Sequence, residues 1–124
     1  MYLESGNWKD AVNSIIKLKG IGVATASAIF APFSPEHCPF MADEVIDAAT
    51  TGKRDYNMAV YTEMRSALIN KASKLGKDWN AELVGRALWI RAMQVAYPYD
   101  SKEVIDEQAK VIESSQSNKK RKLL

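Results

Sequence analysis

Leu18-Lys19-Gly20-Ile21-Gly22-Val23-Ala24-Thr25-Ala26-Ser27 sets two glycines, one residue apart, between two apolar helical patterns. Glycine takes positive φ without a Cβ clash, so the pair allows a very tight reversal. A second helix begins at once, with Val23, Ala26, Ile29 and Phe30 on its apolar side. Its first backbone N–H groups lack intrahelical partners and carry the positive end of the helix dipole. Such a reversal is a place for an anion such as a phosphate. The plainer reading is a tight turn between two helices that holds no ligand.

The pattern extends in both directions from this stretch. Upstream, residues 8–18 read as a first helix, with Asn7 as N-cap and Val12, Ile15, Ile16 and Leu18 as its apolar side. Downstream, Pro32 and Pro35 stop the second helix, and a loop runs through Ser34-Pro35-Glu36-His37-Cys38-Pro39. A short third helix starts near Ala42-Asp43-Glu44 and covers Val45, Ile46 and Ala49. The strongest amphipathic pattern spans 56–75, with Val60, Tyr61, Met64, Ala67, Leu68, Ala72 and Leu75 on one stripe. A fifth helix opens at Asn80, with Trp79 expected to pack on Val84. From Leu83 to Ala96 apolar residues occur nearly all round, which predicts a central, largely buried helix. Residues 101–113 suit a more polar helix, and 114–124 a disordered basic tail. The expectation is therefore an all-α protein of five or six helices: a helical domain over 1–98, a polar helix within 99–113 and the tail.

Composition bounds the function. Apolar residues make up 47% of the 124, which suits one small core. No apolar run is long enough for a bilayer, and the N-terminus lacks a basic segment followed by an apolar one. The reading is an intracellular protein without a membrane partner. Cys38 is the only cysteine, so an internal disulfide and a cysteine-held cluster are excluded within one chain. His37 beside it is the only histidine, and the pair reads as loop residues, with no metal held by side chains. The net charge of +2 depends on Lys119, Lys120, Arg121 and Lys122; without them thirteen basic residues face fifteen acidic ones. That terminal cluster resembles a short nuclear import signal, so the expected location is nuclear, and cytoplasmic otherwise. Lys53, Arg54, Lys71, Lys74 and Lys77 read as solvated faces, and the tryptophans and tyrosines as core.

Leu18, Gly20, Ile21, Gly22, Thr25 and Ala26 match the pattern Leu-x-Gly-φ-Gly-x-x-Thr-Ala (φ an apolar residue), and the stretch resembles a helix-hairpin-helix motif. Downstream, Pro39-Phe40-Met41-Ala42-Asp43-Glu44-Val45 resembles the approach to the aspartate of the helix-hairpin-helix DNA glycosylase superfamily. The chain is also similar to small uncharacterised eukaryotic proteins with the same hairpin. The resemblance implies a glycosylase-like helical domain whose hairpin holds a DNA backbone phosphate without reading bases. The residues it places there are Lys19, Gly20, Ile21, Gly22, Ala24 and Thr25. It implies no organic cofactor, only a monovalent cation on hairpin carbonyls. It makes Asp43 the catalytic candidate, stabilising a cationic sugar or activating water; the plainer reading of Asp43 is a helix-capping or first-turn acid.

The departures from the family are specific. The lysine nucleophile of bifunctional members falls at Ala24, so Schiff-base chemistry has no nucleophile there. The family places several helices before the hairpin to wall the base pocket, and here 17 residues precede Leu18. The expectation is a fragment or short form of a longer protein, or a protein without a complete pocket. The preferred function is DNA-backbone binding without catalysis in this form. The alternatives are a monofunctional glycosylase using Asp43 and a helical module that binds a protein partner.

Overall fold

The computed structural model describes residues 7–98 and 101–122, with side chains over 7–98 and 106–117. The described residues form six helices: α1 (Trp8–Ile16), α2 (Val23–Phe30), α3 (Asp43–Ala49), α4 (Met58–Leu75), α5 (Ala81–Ala96) and α6 (Ser101–Lys122). No strand occurs among the described residues. None of their helices is long and apolar enough to cross a membrane. The chain divides into two compact units, Met1–Ala92 and Met93–Leu124.

The first unit holds the core. Val12 of α1, Ala26 of α2, Ile46 of α3 and Tyr61, Met64 and Leu68 of α4 are almost wholly sealed from solvent. Helices α1 and α2 pack on each other, as do α3 and α4. Leu18, expected on the apolar side of α1, is 60% exposed. The cause is local: α1 ends at Ile16, so Leu18 lies past the last turn and off the stripe. Ile21 takes the inward place instead, packed against the core from the connection itself.

Between α2 and α3 the chain is irregular and yet largely buried, with Ser34, Cys38, Pro39, Met41 and Ala42 inside. Buried backbone must find partners, and side chains from three helices supply them. The Arg65 guanidinium donates from Nε to the His37 carbonyl at 2.6 Å. The Tyr61 hydroxyl donates to the Pro39 carbonyl at 2.9 Å. The Phe40 N–H donates to Glu82 Oε2 at 2.7 Å, and the Met41 N–H to Ser27 Oγ at 2.8 Å. Among the described residues no buried side-chain nitrogen or oxygen lacks a partner.

Helix α4 is capped by Asn57, whose side chain accepts the Val60 N–H, and it ends at Gly76 with φ +114°. Its buried face includes Arg65 and leaves Ala67 and Leu75 exposed, so the observed face is turned from the expected stripe. Helix α5 starts as expected, with Asn80 accepting the Leu83 N–H at 2.9 Å. It is not the buried central helix that its composition predicts. Only Ala81, Glu82, Val84 and Gly85 are buried, while Trp89 and Ile90 are 45% and 51% exposed. Only the first turns of α5 approach the core, with a Gly85 Cβ position 3.6 Å from Leu68 and 3.8 Å from Val45. The later turns have no layer over them among the described residues of this unit.

In the second unit, α6 continues to Lys122, beyond the residue 113 at which the polar helix is expected to stop. Residues 114–122 contain no glycine or proline, and cations near a helix C-terminus suit its dipole. The side chains of Lys119, Lys120, Arg121 and Lys122, the expected import signal, lie outside the described residues.

Candidate nucleic-acid interface

The connection between α1 and α2 is made of two linked turns. The Leu18 N–H donates to the Ile15 carbonyl and the Ile21 N–H to the Leu18 carbonyl, each at 3.1 Å. Gly20 has φ +83°, in the left-handed region that favours glycine. Gly22 differs from the expectation of a paired reversal. Its φ is −102° and ψ −174°, an extended N-cap that any residue adopts. The reversal thus needs one left-handed residue, because the extended Gly22 already hands the chain to α2.

The first α2 bond runs from the Ala26 N–H to the Gly22 carbonyl at 3.0 Å. The N–H groups of Val23, Ala24 and Thr25 therefore face the open end of the helix. Gly20 and Gly22 are exposed, and a Cβ at either would meet no atom within 4 Å. Lys17 and Lys19 are exposed beside them and form no ion pair among the described residues. Of the expected phosphate set, Lys19, Gly20, Gly22 and Thr25 are exposed and Ala24 is half-buried. Ile21 is half-buried too, its side chain serving as the peg that holds the turn to the core.

Asp43 is the first residue of α3, with Ala42 at the N-cap, so it is a first-turn acid and not the cap. Both carboxylate oxygens are engaged. Oδ2 lies 3.1 Å from Arg54 Nη1, and Oδ1 accepts a short hydrogen bond from the Tyr56 hydroxyl. Arg54 also grips Asp47 through Nε, at 3.2 Å, and through Nη2. The Arg54 hydrogen bond holds Asp47 below the usual carboxylate range. The hydrogen bond to Asp43 pushes the Tyr56 hydroxyl above the usual tyrosine range. The four side chains stand at the surface, where solvent weakens each pair. Asp43 is held in place by Arg54 and Tyr56, so a reacting group reaches neither oxygen without displacing one of them.

Cys38 is fully buried, and burial pushes its thiol up, away from the reactive thiolate. His37 contributes its backbone carbonyl to Arg65. No group of three or more metal-ligating side chains occurs among the described residues.

Sequence reasoning singles out none of Ser27, Arg65, Tyr56 and Glu82, and it reads Arg54 as a solvated charge. Arg65 alone carried a signal, a lone charge one residue from Met64 on an apolar helix face. The partners of the others are set by tertiary folding: Arg54 and Tyr56 lie 11 and 13 residues from Asp43 in an irregular segment. The aromatic residues divide. Trp8 and Tyr61 are core, in edge contact at 5.7 Å, whereas Tyr56, Trp79, Trp89 and Tyr97 are exposed. Comparison with protein-family models, curated proteins and solved structures finds no match to this chain.

Proposed function

We propose that this chain binds the DNA backbone, without reading bases, through the connection between α1 and α2, as a helix-hairpin-helix protein of glycosylase-like ancestry. The observation that carries the reading is the turn at Gly20. Its left-handed backbone presents the open N-terminus of α2 beside Lys17 and Lys19, with free space in front of Gly22. Backbone N–H groups at a helix start, with lysines close by in sequence, are suited to a phosphate. A monovalent cation on the hairpin carbonyls belongs to the same proposal, as does nuclear import through Lys119, Lys120, Arg121 and Lys122. The reading assigns no base excision to this chain. Its motivation is Ala24 at the nucleophile position and the engagement of both Asp43 oxygens by Arg54 and Tyr56.

Fluorescence anisotropy on a labelled duplex at two salt concentrations tests the proposal. Binding is expected to weaken as salt rises, because each neutralised phosphate releases counterions. Gly22→Ala is the discriminating variant. Its extended backbone accepts alanine, and the new methyl fills the space through which a phosphate approaches. Normal stability with duplex binding weakened about tenfold is expected, the scale of one lost charge-assisted hydrogen bond. Salt-insensitive or absent binding by the folded wild type overturns the reading. Abasic sites formed in a panel of damaged-base duplexes, and lost in Asp43→Asn, would establish the glycosylase alternative.

A further inference from the structure

Each unit, taken by itself, carries an apolar face that nothing within that unit covers. The first is a groove of about 470 Å³ walled by α4 and α5, with Ala48 and Ala49 of α3 also lining it. Leu68, Leu75, Trp79 and Leu88 line it, and Lys71 of α4 and Arg91 of α5 stand on its two walls. Both cations are exposed, and neither forms an ion pair among the described residues. The second face is on α6, where Val111 and Ile112 are 64% and 58% exposed and share a shallow surface with Glu107 and Gln108. In sequence, Val104-Ile105 precedes Val111-Ile112 by seven residues, two helical turns. Glu107 lies four residues before Val111, so its acid borders the apolar stripe.

We infer that the groove receives α6 of a second copy of this chain. The two faces are complementary in kind: an apolar channel edged by cations, and an amphipathic helix edged by an acid. A helix seated by its apolar face in such a groove is a recurrent mode of association. Glu107 of one copy meets Lys71 and Arg91 of the other, which fixes orientation as well as adding attraction. Exchange between two copies closes on itself with two-fold symmetry. Each copy gives one helix and accepts one, so the contact is made twice, toward the roughly 1,200 Å² that a specific interface requires. Both grooves and both stripes are then covered. This inference is independent of the DNA reading, since none of its residues belongs to the α1–α2 connection.

Sedimentation of the full chain over a wide concentration range tests it. The wild type is expected to pass reversibly from monomer to dimer. Val111→Asp with Ile112→Asp is expected to remain monomeric throughout, with unchanged thermal unfolding of the core. Arg91→Glu is expected to weaken dimerisation about tenfold, and Glu107→Arg in that background to restore it. A wild type that stays monomeric at every concentration overturns the inference. In that event, Trp79 fluorescence newly open to a quencher in the Val111→Asp, Ile112→Asp variant would name the chain's own α6 as the occupant. A dimer that survives the double variant also overturns it.

Discussion

Arg65 and Arg54 belong to one domain and make opposite bargains with solvent. Arg65 is 8% exposed and forms no ion pair among the described residues. It donates to the His37 carbonyl, and its guanidinium carbon lies 4.2 Å above the Trp8 ring. Burial lowers its pKa, yet a guanidinium remains charged. Arg54 has two carboxylates and a surface position. Ion pairs therefore mark the place where least stability is held. A surface pair trades hydration for a screened attraction of similar size, whereas the partners of a buried group have nothing to replace it. The loop from Ser34 to Ala42 depends on the first arrangement. The segment from Thr51 to Tyr56 is tied to α3 by the second.

The largest expected effect follows from removing the buried member. Arg65→Met keeps much of the volume but leaves the His37 carbonyl unpaired and takes the cation from the Trp8 ring. A loss of roughly 2–4 kcal/mol is expected in urea unfolding, from an unpaired buried acceptor and a desolvated cation–π contact. A loss near zero would place the organisation of the loop elsewhere. Tyr61→Phe isolates one bond, the one to the Pro39 carbonyl, and keeps the edge contact with Trp8. About 1–3 kcal/mol is expected, the cost of stranding one buried acceptor. At the turn, Gly20→Ala is expected to cost about 1 kcal/mol, for a side chain held at positive φ. Gly22→Ala is expected to cost less, so unequal effects at the two glycines in thermal unfolding check the one-sided geometry.

Local rules were enough for much of this architecture. Asn80 marks a helix start through a cap that needs no tertiary partner, and Asn57 does the same without having been singled out in the sequence. The reversal at Gly20 is equally local. What periodicity could not supply is which side of an element meets another. The apolar circumference of α5 predicts burial, but full burial ends at Gly85 and Leu88 is the last residue packed on the core, so Trp89 and Ile90 stay largely in solvent. A composition that fits a buried helix fits an unoccupied docking face equally well. The loop shows the same limit: two prolines and a histidine read as a loop and say nothing of its depth, while Ser27, Tyr61, Arg65 and Glu82 draw its backbone inside. Asp43 was legible as an acid at a helix start. Its pairing with Arg54 and Tyr56 was not, because those residues come from an irregular segment with no period to place them.

The smallest effect on stability belongs to Asp43, and it has a spectroscopic reading of its own. Tyr56 donates to Asp43, and that hydrogen bond raises the tyrosine above its usual range near 10. A pKa raised on folding adds stability below the unfolded value and loses it as pH climbs through the folded one. Asp47, held low by Arg54, has the opposite sign: its contribution is present above the unfolded carboxylate range near 4 and fades on acidification. In Asp43→Asn the Tyr56 hydroxyl loses its charged acceptor, and Arg54 keeps Asp47. The Tyr56 absorbance titration is expected to move down toward the ordinary tyrosine value, with a melting temperature at neutral pH close to wild type. Tyr56→Phe identifies which of the tyrosine titrations belongs to it. An unmoved titration would mean that Asp43 is free of Tyr56 in solution. The carboxylate would then be available as the base that the glycosylase alternative requires.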